Sequence, residues 1–385
     1  LVLGTTKGGV LERPHQWKNG RYAAGTQPGN LAAQFGCYYG PEGGVVTFCE
    51  DGAGHPKTLA AGRMSDGLAL GWRHLMRRDL KDAFALSFPV AVGVFRGTGG
   101  AGTDWRDAAA MYKAWALKQP WCATRFADRE DLPGWLKEGP AQVRFGRDWL
   151  GRPERIEGWL EKYWQKHFAG VPLVVTFWGW EGVATWVPPK YLPPYPSEEG
   201  LKRCVDAVRR AGGHAFFWPS GYQWCLTYGK REDGTFEWED RAWFEREARA
   251  HAMVGKDGKV MLTNPPWYRG GEAATLCRGD KWSRDWLTGL AVALAERGGE
   301  LFQIDQVVGA GMRGGGDCRA TGHGHPPGIG IWDVDAAHKQ MSEMLAACRA
   351  AGVNMVLGYE EPQELFLQEV GIQDYRDYEV VWKAQ

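Results

Sequence analysis

The amino-acid sequence predicts a mixed α/β fold, namely a TIM-type (β/α)8 barrel preceded by a β-sandwich. Short apolar runs separated by glycine and proline turns fill the first hundred residues. After residue 140, buried apolar runs alternate with amphipathic helical patterns, and acids directly follow several of the runs. We expect a partial β-sandwich domain over residues 1–100, a connecting helix and linker over 101–138, and the barrel domain over 139–385.

The N-terminal part has the pattern of antiparallel β structure. Strands are predicted at residues 31–39, 44–49 and 83–95. Pro89 indicates an edge strand or a break, because proline cannot donate a ladder hydrogen bond. Asp104 can cap a helix over 105–117, and Gln119 followed by Pro120 ends it. We interpret this helix as the connector between the two domains.

The remaining sequence alternates between strands and helices. Candidate strands occupy residues 142–145, 171–177, 214–218, 300–304 and 353–359. Candidate helices occupy residues 154–168, 197–211, 239–252, 282–297 and 333–351. Ser197 and Asp333 are predicted N-caps. These elements make about five units, whereas a complete barrel has eight strands. We therefore expect an incomplete barrel that another chain or a missing segment completes.

Composition limits the classes of partner. The sequence has 46 basic and 46 acidic side chains, which argues against a broad electrostatic attraction to nucleic acid or membrane. The eight cysteines form no CxxC pair, so a zinc ribbon or thioredoxin-like site is not expected and most thiols should be buried apolar groups. No cofactor is predicted.

Tryptophan is unusually frequent, with 21 residues, and aromatic residues make up 13% of the chain. Many of these rings should belong to the core. Several, however, lie in loops beside proline and glycine, where a flat ring can lie against the apolar face of a sugar. The indole N–H also favours a wet cleft over a dry core.

Polar and aromatic side chains recur where the predicted barrel strands end. In a parallel barrel these ends share one face, so we expect the side chains to lie together. Two carboxylates, Asp305 and Glu360, are the predicted catalytic groups. The predicted substrate-binding residues are Trp178, Trp180, Glu181, Trp218, Tyr222, Gln306, His323, His325 and Glu361.

A pair of carboxylates suits the cleavage of glycosidic bonds. One acid attacks or stabilises an oxocarbenium-like centre, while the other, kept protonated, delivers a proton to the leaving oxygen. Asp305 is the predicted nucleophile. Glu360 is the predicted acid/base, with a pKa raised by Glu361 or by burial. The alternative is that each acid caps a helix or pairs with an arginine, as strand-end carboxylates often do.

Three further residues have competing interpretations. His323 and His325, at spacing i, i+2, could ligate a metal from a strand, but glycine and proline surround them and no cysteine or acid stands at metal-ligand spacing. A bond to a sugar hydroxyl or a role in folding the loop is therefore preferred. His214 begins a strand and is predicted to be structural.

A family resemblance rests on three stretches: the helix from Asp104 to Trp121, the strand with Asp305 at its end, and the Gly-His-Gly-His-Pro-Pro-Gly loop over 322–328. Together they resemble the DUF6259 type of glycoside-hydrolase-like proteins, a group distantly similar to endo-α-N-acetylgalactosaminidases. The likeness spans roughly residues 30 to 370. It implies a β-sandwich followed by a TIM barrel and a retaining mechanism, with Asp305 as nucleophile and Glu360, in a Glu-x-Pro-x-Glu sequence, as acid/base. This chain stops before the last barrel strands of that pattern.

The leading hypothesis is a retaining glycoside hydrolase that acts on an oligo- or polysaccharide. A secreted or periplasmic location would suit such an enzyme. Two alternatives remain open: a non-catalytic carbohydrate-binding protein on a degenerate barrel, and a metal-dependent hydrolase that uses His323 and His325. Under the leading hypothesis the expected partner is a carbohydrate, and no nucleic acid or membrane partner is expected.

Overall fold

A computed structural model describes residues 1–5, 10–18, 20, 22–76, 85–97, 102–307, 311, 316–361 and 363–374. Predictions that involve residues 83–84, 308–310, 312–315 or 375–385 lie outside the described residues. Within these ranges no helix combines the length and the apolar character that a membrane span requires.

The described part of the chain begins with seven strands in two antiparallel sheets. The strands are β1 Val2–Thr5, β2 Tyr22–Gln27, β3 Leu31–Gly40, β4 Gly43–Cys49, β5 Lys57–Met64, β6 Gly67–His74 and β7 Val90–Phe95. Among the described residues, one sheet has the order β1-β3-β4-β7 and the other the order β2-β5-β6. Leu3 and Leu31 from the first sheet share a buried cluster with Leu59 from the second. The two sheets therefore pack together through apolar side chains, as the alternating runs predict.

The predicted connecting helix is confirmed as α1, Trp105–Ala116, which is followed by the short helix α2, Gly134–Lys137. Asp104 caps α1 through a capping box with Asp107. The ring of Tyr112 stacks on Phe35 of β3 with 5.4 Å between centroids. Helix α1 therefore lies against the first sheet and carries the chain to the second part of the fold.

The second part begins with alternating strands and helices. These are β8 Ala141–Phe145, α3 Arg147–Leu150, α4 Pro153–Trp159, α5 Gln165–His167, β9 Leu173–Phe177, α6 Glu198–Arg210 and β10 Gly213–Phe217. A π-helical turn, Leu160–Trp164, joins α4 to α5 within the predicted helix 154–168. Ser197 caps α6 by accepting the backbone N–H of Gly200, as predicted. All of β9 is buried, which is typical of a parallel strand covered on both faces.

The excursion between β10 and the next barrel strand contains a small sheet that the sequence analysis did not predict. Its elements are β11 Gln223–Lys230, β12 Phe236–Glu239, α7 Arg241–Glu247, β13 Leu262–Thr263 and β14 Glu272–Thr275. In the described part of the chain the sheet order is β12-β11-β14-β13, all antiparallel. The predicted helix 239–252 is shorter than expected, ending at Glu247 before a 3-10 turn, Arg249–His251.

The chain then returns to the parallel sheet with α8 Lys281–Glu296, β15 Gly299–Ile304, α9 Trp332–Ala350, β16 Val356–Glu360 and β17 Ile372–Asp374. Helix α8 begins one residue before the predicted start at residue 282, because Asp280 caps it. The prediction that Asp333 caps α9 is wrong. Asp333 lies inside the first turn, fully buried, with Oδ1 2.6 Å from an Arg278 guanidinium nitrogen. Ile331 occupies the cap position.

In the described residues six parallel strands form a curled half-barrel with the order β17-β16-β15-β10-β9-β8. This sheet contains the five predicted strands and adds β17, whose three residues are too few to show a pattern. A complete eight-stranded barrel is not confirmed. The largest apolar cluster lies between the sheet and helices α6, α8 and α9, which fixes the strand ends that carry the candidate site.

Candidate active site

Three carboxylates follow one another at the carboxyl ends of neighbouring strands. Ile304 of β15 pairs with Tyr359 of β16, so Asp305 and Glu360 are the next residues along each strand. Glu360 in turn pairs with Asp374 at the end of β17. The structure therefore brings the two predicted catalytic acids to adjacent strand ends. It adds Asp374, which the sequence did not indicate because β17 has only 3 residues.

A backbone hydrogen bond connects the two predicted catalytic positions. The N–H of Gln306, the residue after Asp305, donates to Oε2 of Glu360 over 2.9 Å. Because this bond reaches from one strand end to the next, it holds the Glu360 carboxylate beside the backbone that follows Asp305. Gln306, a predicted substrate-binding residue, also donates through Nε2 to Ser220 Oγ at 3.2 Å.

The residue after each acid has an unusual backbone conformation. Gln306 has φ 61° and Glu361 has φ 63°, both in the left-handed region that residues other than glycine rarely adopt. Such conformations cost on the order of 1–3 kcal/mol each and cluster at functional sites. The Glu361 N–H donates to the Asp374 carbonyl at 2.9 Å, so the turn after Glu360 is held to the next strand.

Asp305 is enclosed by the loop after β10. Its side chain is buried, and its backbone N–H donates to the Pro219 carbonyl at 3.1 Å. Gly221, at φ 56°, lies so close that an added Cβ would be 2.6 Å from the Asp305 carbonyl oxygen. Glu360 and Glu361 are partly exposed. The site thus places one buried and one accessible carboxylate side by side.

Aromatic rings lie together beyond β9 and β10. Trp178 contacts Trp218 and Trp186 edge to face, with centroids 5.2 and 4.5 Å apart. Trp186 also meets Trp267, which is 37% exposed. Trp178 is partly exposed, whereas Trp218 is mostly covered. These four rings, called the tryptophan cluster below, form an aromatic surface of the kind that the sequence predicts.

Trp180 and Tyr222, also predicted to bind substrate, belong to the interior. Trp180 is fully buried and stacks on Tyr191 with 5.6 Å between centroids. The Tyr222 hydroxyl donates to Gln340 Oε1 at 2.6 Å, inside the layer between the sheet and α9. Their role in sugar binding stays a prediction, while their contacts are those of packing residues.

Glu181 is buried within the loop after β9. Its Oε1 accepts the N–H of Trp186, a residue at φ 60°. In the part of the chain that the structure describes, Oε2 has no hydrogen-bonding partner. Burial raises the pKa of this carboxyl to about 7. The predicted contact between Glu181 and sugar hydroxyls stays a prediction, and the observed contact stabilises the turn that presents Trp186.

The Glu-x-Pro-x-Glu sequence connects the site to the N-terminal sheets. Gln363 donates through Nε2 to the Leu31 carbonyl at 3.0 Å. The Tyr112 hydroxyl lies 2.6 Å from Glu364 Oε1 and 2.7 Å from Oε2. Burial raises the pKa of the Glu364 carboxyl to about 7. The loop that follows Glu360 is therefore held by β3 and α1.

His323 and His325 face two cysteines. The Sγ of Cys318 lies 3.6 Å from His323 Nδ1, and the Sγ of Cys277 lies 3.2 Å from His325 Nε2. These four groups could together hold a metal ion. The sequence did not indicate the cysteines because they stand at no regular metal-ligand spacing, although Cys318 is only five residues before His323. The predicted sugar contacts of both histidines stay predictions.

His214, predicted to be structural, lies on β10 away from these groups. Its Nδ1 is 2.7 Å from Glu300 Oε2, and its ring stacks on Trp135 with 3.8 Å between centroids. These contacts join α2 and β15 to the strand and support the structural interpretation.

Solved structures with a similar fold include two glycosidases. An alpha-N-acetylgalactosaminidase from Bifidobacterium bifidum (NagBb, ligand free) has a TM-score of 0.66 at 13% identity, over 92% of this chain and 56% of that one. An alpha-galactosidase from Thermus thermophilus (TtGalA) has a TM-score of 0.53 at 14% identity, over 88% of this chain and 54% of that one. The chain spans about half the length of these structures. It therefore shares the fold of a class of glycosidases.

The family of the chain can be stated from its sequence. Residues 84–381 match the family described as "Domain of unknown function (DUF6259)", and the chain belongs to it. The resemblance found in the sequence is thus confirmed. No curated protein matches the chain.

Proposed function

We propose that this protein is a glycoside hydrolase that retains anomeric configuration, with Asp305 as nucleophile and Glu360 as acid/base. The observation that carries the proposal is the position of both acids on adjacent strand ends, joined by the hydrogen bond from Gln306 N–H to Glu360. The glycosidase fold of the structural neighbours supports it.

The strand register favours retention over inversion. Neighbouring strands lie about 4.8 Å apart, and retaining enzymes hold their carboxyl groups about 5–5.5 Å apart, whereas inverting enzymes need about 6.5–9.5 Å. Asp305 and Glu360 are one strand apart. Asp305 and Asp374 are two strands apart, a separation of roughly 9.6 Å at that spacing. By backbone position Glu360 is therefore the nearer of the two acids to Asp305, which favours it as the retaining partner.

The environments of the two acids also suit different tasks. Asp305 is buried at the strand end, where its position relative to an anomeric carbon would be well defined. Glu360 is partly exposed, so the leaving group and then a water molecule could reach its carboxyl group in the two steps of a retaining reaction. In the first step the Asp305 carboxylate attacks the anomeric carbon and Glu360 protonates the leaving oxygen. In the second, Glu360 takes a proton from water, which displaces Asp305.

The substrate class follows from the tryptophan cluster and the neighbours. Flat rings can lie against the apolar face of a sugar, and Trp178 and Trp267 keep part of their surface accessible. The names of the neighbours make terminal α-linked N-acetylgalactosamine and galactose the first sugars to test. An oligo- or polysaccharide that bears such residues is the proposed natural substrate.

The test is hydrolysis of a panel of α- and β-linked aryl glycosides by the full chain. Asp305→Asn and Glu360→Gln should each reduce kcat at least 10³-fold, while Asp206→Asn, an exposed acid on α6, should change little. For a good leaving group, azide should restore turnover of the Glu360→Gln variant through a glycosyl azide. Unchanged hydrolysis in both site variants would refute the proposal. Sugar binding without turnover by the wild type would instead support a non-catalytic carbohydrate-binding protein.

A further inference from the structure

Two cysteines and two histidines from separate segments converge beside the N-terminus of α8. Cys277 follows β14, and Cys318, His323 and His325 lie in the long loop between β15 and α9. Their potential ligand atoms, one from each residue, all lie within 4.8 Å of one another. Cys277, Cys318 and His323 are buried and His325 is partly so. No part of the proposed glycosidase chemistry uses this cluster.

The separations suit a tetrahedral ion. With bonds of about 2.3 Å to sulfur and about 2.0–2.1 Å to nitrogen, tetrahedral zinc ligands lie roughly 3.3–3.8 Å from one another. The contact between Cys277 and His325 measures 3.2 Å, and that between Cys318 and His323 measures 3.6 Å. The four groups therefore need only small movements to enclose an ion.

Hydrogen bonds orient both imidazole rings for coordination. Nε2 of His323 lies 2.8 Å from the Ala250 carbonyl, and Nδ1 of His325 lies 2.9 Å from the Pro326 carbonyl. Because a carbonyl only accepts, each of these nitrogens must carry the proton. The other nitrogen of each ring then presents its lone pair to the cysteines. A carbonyl behind each ligating histidine is the usual outer support of a zinc site.

The backbone around the cluster permits a close approach of its segments. Only glycine fits at position 279, because a Cβ there would be 2.3 Å from the His325 ring.

The loop is also shaped to bring the ligands together. Gly324, between the two histidines, has φ 75°, which a residue with a side chain would rarely adopt. The ring of His325 stacks on Trp332 at the start of α9, with 3.7 Å between centroids.

We propose that Cys277, Cys318, His323 and His325 form a structural zinc site. Two thiolates and two imidazoles select zinc over the hard cations, which prefer oxygen ligands. Four protein ligands also leave no open position for water or substrate, which is the arrangement of structural rather than catalytic zinc. The ion joins the small excursion sheet, the start of α8 and the loop that follows Asp305.

The first measurement is the zinc content of the full chain, produced with zinc and purified under reducing conditions without chelator. One zinc per chain is expected. Cys318→Ser and His325→Ala should each lower the content severalfold, whereas Cys348→Ser should retain it, because Cys348 is a buried free thiol on α9 outside the cluster. Folded protein that contains no zinc after this purification, or a Cys277–Cys318 disulfide found by mass spectrometry under these conditions, would overturn the proposal.

A second measurement does not depend on the folding of any variant. Wild-type protein stripped of metal by a chelator is titrated with Co²⁺. Thiolate-to-cobalt charge transfer and the intense visible bands of tetrahedral cobalt should appear and saturate at one equivalent, and Zn²⁺ should displace them. Weak bands of octahedral cobalt, without charge transfer, would contradict a Cys2His2 site. Loss of thermal stability on chelation, restored by Zn²⁺, would support the structural role.

Discussion

The hydroxyl of Tyr112 contacts both carboxylate oxygens of Glu364, at 2.6 and 2.7 Å, and so joins helix α1 to the loop that follows Glu360. Tyr112→Phe removes this donor and leaves an enclosed carboxyl with fewer partners. A hydrogen bond to a charged group contributes about 1.5–3 kcal/mol. We expect a loss of that size in the free energy of unfolding, measured with urea at pH 8, above the pKa of about 7 that burial gives the Glu364 carboxyl. Tyr163→Phe is the control, because Tyr163 is 55% exposed. Equal stability of the two variants would contradict a structural role for this contact.

The buried Glu181 predicts a stability that falls as pH rises. Burial raises its pKa in the folded protein to about 7 from an unfolded value of 4.5. The folded state therefore binds more protons than the unfolded state in this interval. The contribution of the protonated Glu181 carboxyl to the free energy of unfolding is complete below pH 4.5 and is lost as pH rises through 7. At about 1.4 kcal/mol per pH unit, the effect is on the order of 3 kcal/mol.

Glu181→Gln should flatten this dependence when the unfolding free energy is measured from pH 5 to pH 8. Glu199→Gln, at an exposed position on α6, should leave the slope as it is. Glu364, whose pKa is also raised to about 7 by burial, should still contribute a slope of the same sign. A Glu181→Gln slope identical to that of the wild type would show that the carboxyl is already ionised at neutral pH.

Gly221 should tolerate no side chain. A Cβ there would be 2.6 Å from the Asp305 carbonyl oxygen and 2.9 Å from Ile304 Cγ2, at φ 56°. Gly221→Ala should displace the end of β15 and reduce kcat at least tenfold. Gly212→Ala is a matched control, since Gly212 has φ 74° but nothing within 4 Å of its added Cβ. Both variants should lose about 1 kcal/mol through backbone strain, and only Gly221→Ala should lose activity as well.

Two neighbouring tryptophans should respond differently to truncation. Trp178 is partly exposed in the tryptophan cluster, so Trp178→Ala should raise KM roughly tenfold, equivalent to about 1.4 kcal/mol of ring contact. Trp180 is fully buried against Tyr191, so Trp180→Ala should cost about 3–5 kcal/mol of stability. Steady-state kinetics and urea unfolding of both variants separate the two effects. An unchanged KM in the Trp178→Ala variant would show that this ring does not contact the substrate.

The stereochemical outcome distinguishes the two candidate acids beside Asp305. With Glu360 as acid/base, the first product observed by proton NMR should have the anomeric configuration of the substrate. Asp374→Asn should then retain most of the activity, and Glu360→Gln should not. An inverted first product, together with loss of activity in Asp374→Asn, would assign the acid or base role to Asp374.

Local patterns were sufficient for most of the elements. The caps at Asp104 and Ser197 are read from residues a few positions apart, and the structure confirms both. The excursion sheet and β17 were missed because their strands are short or lack alternation. Asp333 resembled a cap, but it lies inside α9 because a fully buried Arg278, distant in sequence, pairs with it.

The candidate site also combines features that the sequence predicts with features that depend on packing. The sequence predicts that Asp305 and Glu360 follow buried strands, since a run of apolar residues that ends in an acid is a local feature. That they occupy neighbouring strands, linked by the Gln306 N–H, depends on the sheet order β16-β15-β10. Sheet order is a property of packing between distant segments, which periodicity does not encode.

The sequence by itself therefore determined most of the element types, the family and the strand-end positions of Asp305 and Glu360, because these depend on residue type, spacing and motif. Tertiary structure alone decided which tryptophans are buried and which face outward. It alone brought Cys277 to His325, which are 48 positions apart. The physical reason is that the separation of two residues along the sequence does not determine their distance in space once strands and loops pack. A site assembled from several segments can therefore be recognised only in the folded protein.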